Sequence, residues 1–212
     1  MKQLLEHQFA EHYDPEHKDE HVVVETLSNE YKLRDEHACS QCIPFFTRDC
    51  ERETFLLHAE NSVSYINIED FINGFQSLDG RQRCDALFYD EHKLVLMDMY
   101  CGMSEYVDEH LCDKVRVVGK KTIVREQIES LISILYEVDA VAQCIDEKVS
   151  KIGIFGYREK DAELFLNVPR KVNHSMEAFF KMTKAANERR LKLPMSHGFQ
   201  YIMNAYPKVY EW

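Results

Sequence analysis

The sequence has no stretch near the roughly 18 consecutive apolar residues that a membrane-spanning helix needs. Its opening, MKQLLEHQFAEH, is too polar for the apolar centre of a secretory signal. Both absences point to a cytoplasmic address and no membrane partner. Also missing are a phosphate-binding glycine loop, G-x-S-x-G and H-E-x-x-H, which removes the commonest nucleotide, esterase and metalloprotease readings. An even set of cysteines is lacking too. The seven present, in a chain with no export signal, read as reduced thiols rather than a disulfide framework.

Positive charge is scarce and unevenly spread. The net charge is −11, but residues 1–112 hold 9 Lys+Arg against 24 Asp+Glu, net −15, whereas residues 113–212 hold 17 against 13, net +4. Such a balance argues against a protein that coats nucleic acid by charge alone. The basic clusters KVRVVGKK (Lys114–Lys121) and NERRLK (Asn187–Lys192) are candidate phosphate contacts. The ordinary fate of a charge cluster is a solvated surface.

What is present is enough apolar material, 45% of 212 residues, for one folded unit with a real core. The opening segment reads as a short helix broken at Pro15, which disfavours the helical region for Asp14. HVVVETL (His21–Leu27) and SVSYINI (Ser62–Ile68) read as strands, and residues 28–53 as a long polar excursion. IEDFINGF fits one or two helical turns stopping near Gly74, with a turn at Asp79-Gly80. From Thr122 to Lys148, Val124, Ile128, Leu131, Leu135, Val138, Ala142 and Ile145 step by four and three, the pattern of an amphipathic helix, with Thr122 placed to cap it. KIGIFGY (Lys151–Tyr157) reads as a buried strand reached by the helical crossover. Asn173–Arg190 reads as a second helix, and GFQYIMNAYPKVYEW as a final strand with a tail. The expected layout is a single domain over 1–212. An acidic, cysteine-bearing elaboration occupies about 1–60, a core about 62–160, and a C-terminal helix and strand about 161–212.

The most informative stretch is CDALFYDEHKLVLMDMYCG, Cys84–Gly102. Two alternating apolar runs flank a short polar turn, which makes a hairpin. If the chain reverses at Glu91 and His92, facing residues have numbers that sum to 183, so Asp85 lies opposite Asp98. Alternation puts Leu94, Leu96, Asp98 and Tyr100 on one face, and Asp85 shares its face with Leu87 and Tyr89. Like charges facing across an antiparallel pair are destabilising unless compensated. A divalent cation, a shared proton or an arginine, Arg81 or Arg83, would compensate them. Two carboxylates converging under a helix suit a hard cation such as Mg²⁺ or Mn²⁺. The plainer alternative is a pair of solvated strand-end acids.

An acid early in one strand, a tight turn, a hydrophobic strand ending in acid-x-residue, an amphipathic helix and another buried strand together resemble the PD-(D/E)xK restriction-endonuclease-like superfamily. The resemblance covers roughly Cys84–Tyr157. It implies an α/β fold with a mixed sheet flanked by helices, and equates Asp85 with the family's first acid and Asp98-Met99-Tyr100 with the (D/E)xK tripeptide. Gln127 then corresponds to a helix glutamine near the site. The family's lysine, which positions or activates the attacking water, is replaced by Tyr100, which is uncharged and has a reference pKa near 10.

Bacterial members of this superfamily serve in DNA cleavage, repair, and defence against phage and mobile DNA. The departure at Tyr100 turns the implied function toward a degenerate nuclease acting as a binding or assembly subunit. Such a subunit is expected to have a protein partner, with nucleic acid reached through the basic C-terminal half. The alternative is an active Mg²⁺- or Mn²⁺-dependent nuclease. Its Asp85 and Asp98 would bind the metal, Lys114, Lys120 or Lys121 would supply the lysine, and Gln127 would orient water.

A third reading is a zinc-stabilised interaction module using His37, Cys39, Cys42 and Cys50. Thiolate and imidazole suit zinc, and Cys39-x₂-Cys42 is a usual half-site, but the second close pair is missing and buried thiols are the alternative. The histidines His7, His12, His17 and His21 recur at spacings that fit neither a helix face nor a strand face. They read as part of a solvated acidic segment.

Overall fold

The computed structural model describes residues 1–15, 22–34, 53–101, 106–112, 115–158 and 192–212. The hairpin forms in the expected register: β3 (Ala86–Tyr89) runs antiparallel to β4 (Lys93–Tyr100), with Ala86 opposite Met97 and Tyr89 opposite Leu94. Asp90 builds the reversal. Its N–H donates to the Lys93 carbonyl at 3.0 Å, and its Oδ1 accepts from the N–H groups of His92 and Lys93 at 2.8 and 2.7 Å. This is the short side-chain-to-backbone bonding that makes aspartate a turn residue.

From β4 the chain passes through a small antiparallel ribbon, β5 (His110–Cys112) and β6 (Val115–Val117), into α3 (Lys120–Tyr136) and α4 (Asp139–Asp146). It returns as β7 (Ser150–Arg158), parallel to β4, the connection that parallel strands require. On the far side, β9 (Gln200–Tyr206) continues the parallel run and β8 (Leu193–Pro194) closes the edge antiparallel. On the near side, β2 (Glu53–Asn67) pairs antiparallel with β3, and β1 (Glu25–Arg34) with β2. The last strand, β10 (Val209–Glu211), joins β2 in parallel. The result is a mixed eight-stranded sheet in the order β1-β2-β3-β4-β7-β9-β8, with β10 on β2.

Its two faces bury different residues. Leu87, Leu94, Leu96 and Phe155 pack beneath Val124, Ile128, Leu131, Ile132 and Leu135 of α3. Burial of each such aliphatic side chain stabilises the fold by roughly 1.5–3 kcal/mol. Leu5 and Phe9, in a π-helical stretch (Leu4–Phe9) that continues into α1 (Ala10–Tyr13), extend this layer. The Phe9 ring meets Phe71, within α2 (Ile68–Asn73), and Phe75, just beyond it. The opposite face buries Ala86, Phe88, Val95, Met97 and Ile154 against Phe55 and Leu57 of β2, with Tyr210 and Trp212 alongside. Among the described residues no helix is long and apolar enough to cross a membrane.

Several expectations hold locally. α2 stops at Gly74, the Asp79-Gly80 turn has Gly80 at φ 79°, and the opening helix ends before Pro15, with Asp14 extended at ψ 82°. Others shift. Helix α3 starts at Lys120 with Gly119 as its extended N-cap, so Thr122 lies exposed within the first turn rather than capping it. The continuous helix expected to Lys148 breaks at Val138, which is extended (φ −108°, ψ 104°) and opens α4. Glu137 holds that break: it accepts bonds from the Tyr13 hydroxyl and the Arg81 guanidinium, both at 2.6 Å. The expected strand His21–Leu27 begins instead at Glu25 and runs to Arg34, so the region read as an excursion contributes parts of β1 and β2. Their pairing shifts register beside Asn29, whose φ of 64° is a left-handed value asparagine tolerates. The expected helix Asn173–Arg190 lies outside the described residues.

Candidate functional site

Asp85 stands at a bend immediately before β3, one residue beyond the last β3–β4 pair, Ala86 with Met97, and Asp98 follows Met97 on β4. By alternation Asp98 belongs to the face that carries Leu94 and Leu96 and that α3 covers, whereas Asp85 lies at a bend outside the strand. Asp98 is only 5% exposed, whereas Asp85 is half-buried. The Asp85 carboxylate is tied into the hairpin: its Oδ2 accepts the N–H of Met99 at 2.7 Å. Its carbonyl accepts the N–H groups of Ile68 and Glu69 at 3.1 and 3.4 Å, so the same residue anchors the start of α2.

The surrounding chemistry registers both charges. Cys84 is fully buried, and its thiol is pushed well up, first by burial and then by the negative charges of Asp98 and Asp85. The Tyr201 hydroxyl on β9 is likewise raised by burial and by Asp98, with Arg125 acting in the opposite sense. That hydroxyl donates to the Lys121 carbonyl at 2.8 Å and so joins β9 to the first turn of α3.

The arginines considered as neutralising partners are engaged elsewhere. Arg81 pairs with Glu137, while Arg83 bonds to Asn73 and, at 3.4 Å, to the Leu78 carbonyl. Gln127 sits on the sheet-facing side of α3 beside Val124 and Ile128. Its Nε2 donates to the Arg83 carbonyl at 3.3 Å. Gln127 therefore braces the backbone two residues before Asp85.

Tyr100 ends β4 on the same face as Asp98, half-buried, and lies directly beside Tyr157 of β7. Lys120, the first residue of α3, places its Nζ 5.3 Å from the centre of the Tyr100 ring. Its neighbours are committed: Lys121 pairs with Asp108, and Arg125 donates to the Pro194 carbonyl at 3.0 Å. The position of this turn depends on Gly119, where a Cβ would come within 2.4–2.7 Å of the Val107 and Asp108 backbone. Only a residue without a side chain permits that approach.

For a divalent cation the pair offers two carboxylates. Mg²⁺ accepts so few protein ligands where waters and a substrate phosphate complete its shell. Among the described residues no group of three or more His, Cys, Asp or Glu converges on a metal position. Lys114 and the quartet His37, Cys39, Cys42 and Cys50 lie outside the described residues, as does most of Asn187–Lys192. Of the recurring histidines, His7 and His12 are described and exposed.

Sequence reasoning brought Asp85, Asp98 and Tyr100 to one face but missed Tyr157. The alternation in KIGIFGY carries its face, yet the register of a parallel strand across a helical connection has no local signal. Comparison with protein-family models, curated proteins and solved structures returns no match for this chain.

Proposed function

We propose that this chain is a nuclease-fold protein that has lost turnover and works as a binding or assembly subunit, holding nucleic acid at the Asp85–Asp98 end of the sheet. The observation that carries the reading is the state of the acid pair. Two acids stand near each other at the end of the hairpin, but Asp98 is almost wholly withdrawn, one Asp85 oxygen is committed to Met99, and Tyr100 stands where the family has lysine. A tyrosine hydroxyl brings no positive charge to a phosphate. The −15 half of the chain is repelled by a duplex at long range and suits a basic protein partner. By the resemblance, such a subunit would serve in defence against phage or mobile DNA.

A second reading, an active Mg²⁺- or Mn²⁺-dependent nuclease, is favoured by one observation: Lys120 reaches the ring that occupies the lysine place. If a cation is bound, Asp85 and Asp98 hold it, and it supplies charge neutralisation for the phosphate. Lys120 then adds a fixed positive charge beside it, and Gln127 keeps the Arg83–Asp85 backbone in position.

Incubation with DNA and RNA in Mg²⁺ and in Mn²⁺ separates the two. The first reading expects no cleavage by the wild type. Cleavage that Asp85→Ala and Asp98→Ala each abolish establishes the second.

A further inference from the structure

The C-terminal strand β10 is three residues long, and among the described residues it pairs with one strand only: Val209, Tyr210 and Glu211 lie beside Leu56, Leu57 and His58 of β2. Its side chains alternate. Tyr210 and Trp212 join the sheet face opposite α3, where their ring centres lie 5.8 Å from Phe55 and 6.5 Å from Phe88 respectively. Glu211 takes the other face, and its Oε2 lies 2.8 Å from His58 Nδ1. The same histidine has Glu30 of β1 as its register partner on the other side. Directly opposed residues share a face, so Glu30, His58 and Glu211 form a row across three neighbouring strands. On that face Glu60 stands two residues along β2, and Lys32 two residues along β1.

We propose that β10 is a pH-sensitive latch: a protonated His58 holds Glu211 and keeps the C-terminal strand on β2, and the latch loosens as the ring loses its proton. The row sets the direction. An imidazolium at its centre gives Glu211 a charge-assisted bond and lies between the carboxylates of Glu211 and Glu30. With a neutral ring, Glu30, Glu60 and Glu211 leave negative charge gathered on one face, and like charges on adjoining strands are destabilising. The bond to Glu211 does most to raise the His58 pKa; loss of hydration works against it, and the charges of Glu211, Glu60 and Glu30 add to the rise. A raised folded-state pKa contributes stability that is complete below the unfolded value, near 6.5, and is lost as pH rises through the folded value. The tie at the other end of the clasp stays charged over that range. Burial works against the Asp90 carboxylate, but the bonds from the Trp212 indole and from the His92 and Lys93 N–H groups hold its pKa below the ordinary value. A strand with so few bonds opens locally before the rest of the fold does, and its release withdraws Tyr210 and Trp212 from Phe55 and Phe88.

The test is hydrogen exchange of the Trp212 amide, which donates to the His58 carbonyl at 2.9 Å. It is followed in the full chain between about pH 5.5 and pH 8, each rate being divided by that of an unstructured chain at the same pH. Wild-type protection should fall by roughly 1.4- to 5-fold across that range, the weight of one surface ion pair, while the amides of α3 keep theirs. His58→Gln should abolish the dependence, Glu211→Gln should weaken it, and His92→Gln, which removes a charge acting on Asp90, should keep it. Titration of the His58 ring by NMR should give a midpoint above about 6.5 in the wild type and a lower one in Glu211→Gln. Protection that is flat in the wild type, a fall that survives in His58→Gln, or a His58 midpoint indifferent to Glu211→Gln overturns the latch.

Discussion

Asp85, one residue before the Ala86–Met97 pair, reaches across the hairpin to accept the Met99 backbone N–H at 2.7 Å. That carboxylate therefore braces the hairpin, and in the proposed function it also belongs to the site. The two roles separate by substitution. Asp85→Asn keeps an oxygen acceptor for Met99, whereas Asp85→Ala leaves that N–H without it. Losing a hydrogen bond to a charged group costs about 1.5–3 kcal/mol. Urea unfolding should therefore show Asp85→Ala destabilised by about that amount and Asp85→Asn by clearly less, while either change removes the charge near Asp98.

Gly119 sets the height of the first turn of α3. Because a Cβ there meets the Val107 carbonyl and the Asp108 backbone rather than a yielding side chain, Gly119→Ala should destabilise by about 1–3 kcal/mol, the cost of overpacking. It should also displace Lys120 from Tyr100. The measurement is the unfolding midpoint, paired with the affinity for nucleic acid. The reverse result, unchanged stability with unchanged affinity, shows that the turn is not wedged there.

The break between α3 and α4 makes stability depend on pH in a definite direction. Burial works against the charged form of Glu137, but the bonds from Tyr13 and Arg81 and the charge of Arg81 outweigh it and hold its pKa below the ordinary carboxylate value. A depressed folded-state pKa contributes stability that is fully present above the unfolded value, near 4.3. It is lost as pH falls through the folded value. Arg81→Ala should thus lower stability at pH 7 by at most about 1 kcal/mol, because the pair is partly exposed and screened. The difference from wild type should shrink below pH 4. Denaturant midpoints for both proteins at pH 7 and pH 3 check this.

Trp212 fastens the chain end to the hairpin turn. Its indole N–H donates to Asp90 Oδ2 at 2.5 Å, Lys93 Nζ lies 4.6 Å from its ring centre, and its backbone N–H donates to the His58 carbonyl at 2.9 Å. Trp212→Ala loses the bond and the cation–aromatic contact, together about 1–3 kcal/mol. Hydrogen exchange should show faster opening of β10 while α3 stays protected. Uniformly faster exchange speaks against a local clasp.

The parts of the fold that were legible are those written in one local period. Strict alternation around Glu91-His92 gave the register of β3 against β4, because a period of two leaves no other choice once the turn is placed. Val124, Ile128, Leu131 and Leu135 marked the buried stripe of α3 in the same way. What escaped depends on distant partners. Val138 has neither proline nor glycine beside it, and the break there is held by Tyr13 and Arg81, far away in sequence. The pairing of β10 with β2, the start of α3 against Val107, and the meeting of Tyr157 and Lys120 at Tyr100 are likewise tertiary events with no local pattern.

The central claim of the proposed function is that turnover was lost where Tyr100 stands in the place of a lysine. Its most direct measurement is cleavage of labelled DNA and RNA in Mg²⁺ and Mn²⁺ by wild type, Tyr100→Lys, and Tyr100→Lys combined with Asp98→Ala. The account expects no cleavage by the wild type, metal-dependent cleavage by Tyr100→Lys, and none by the double variant. Cleavage by the wild type, or a folded Tyr100→Lys protein that cuts nothing, would contradict it.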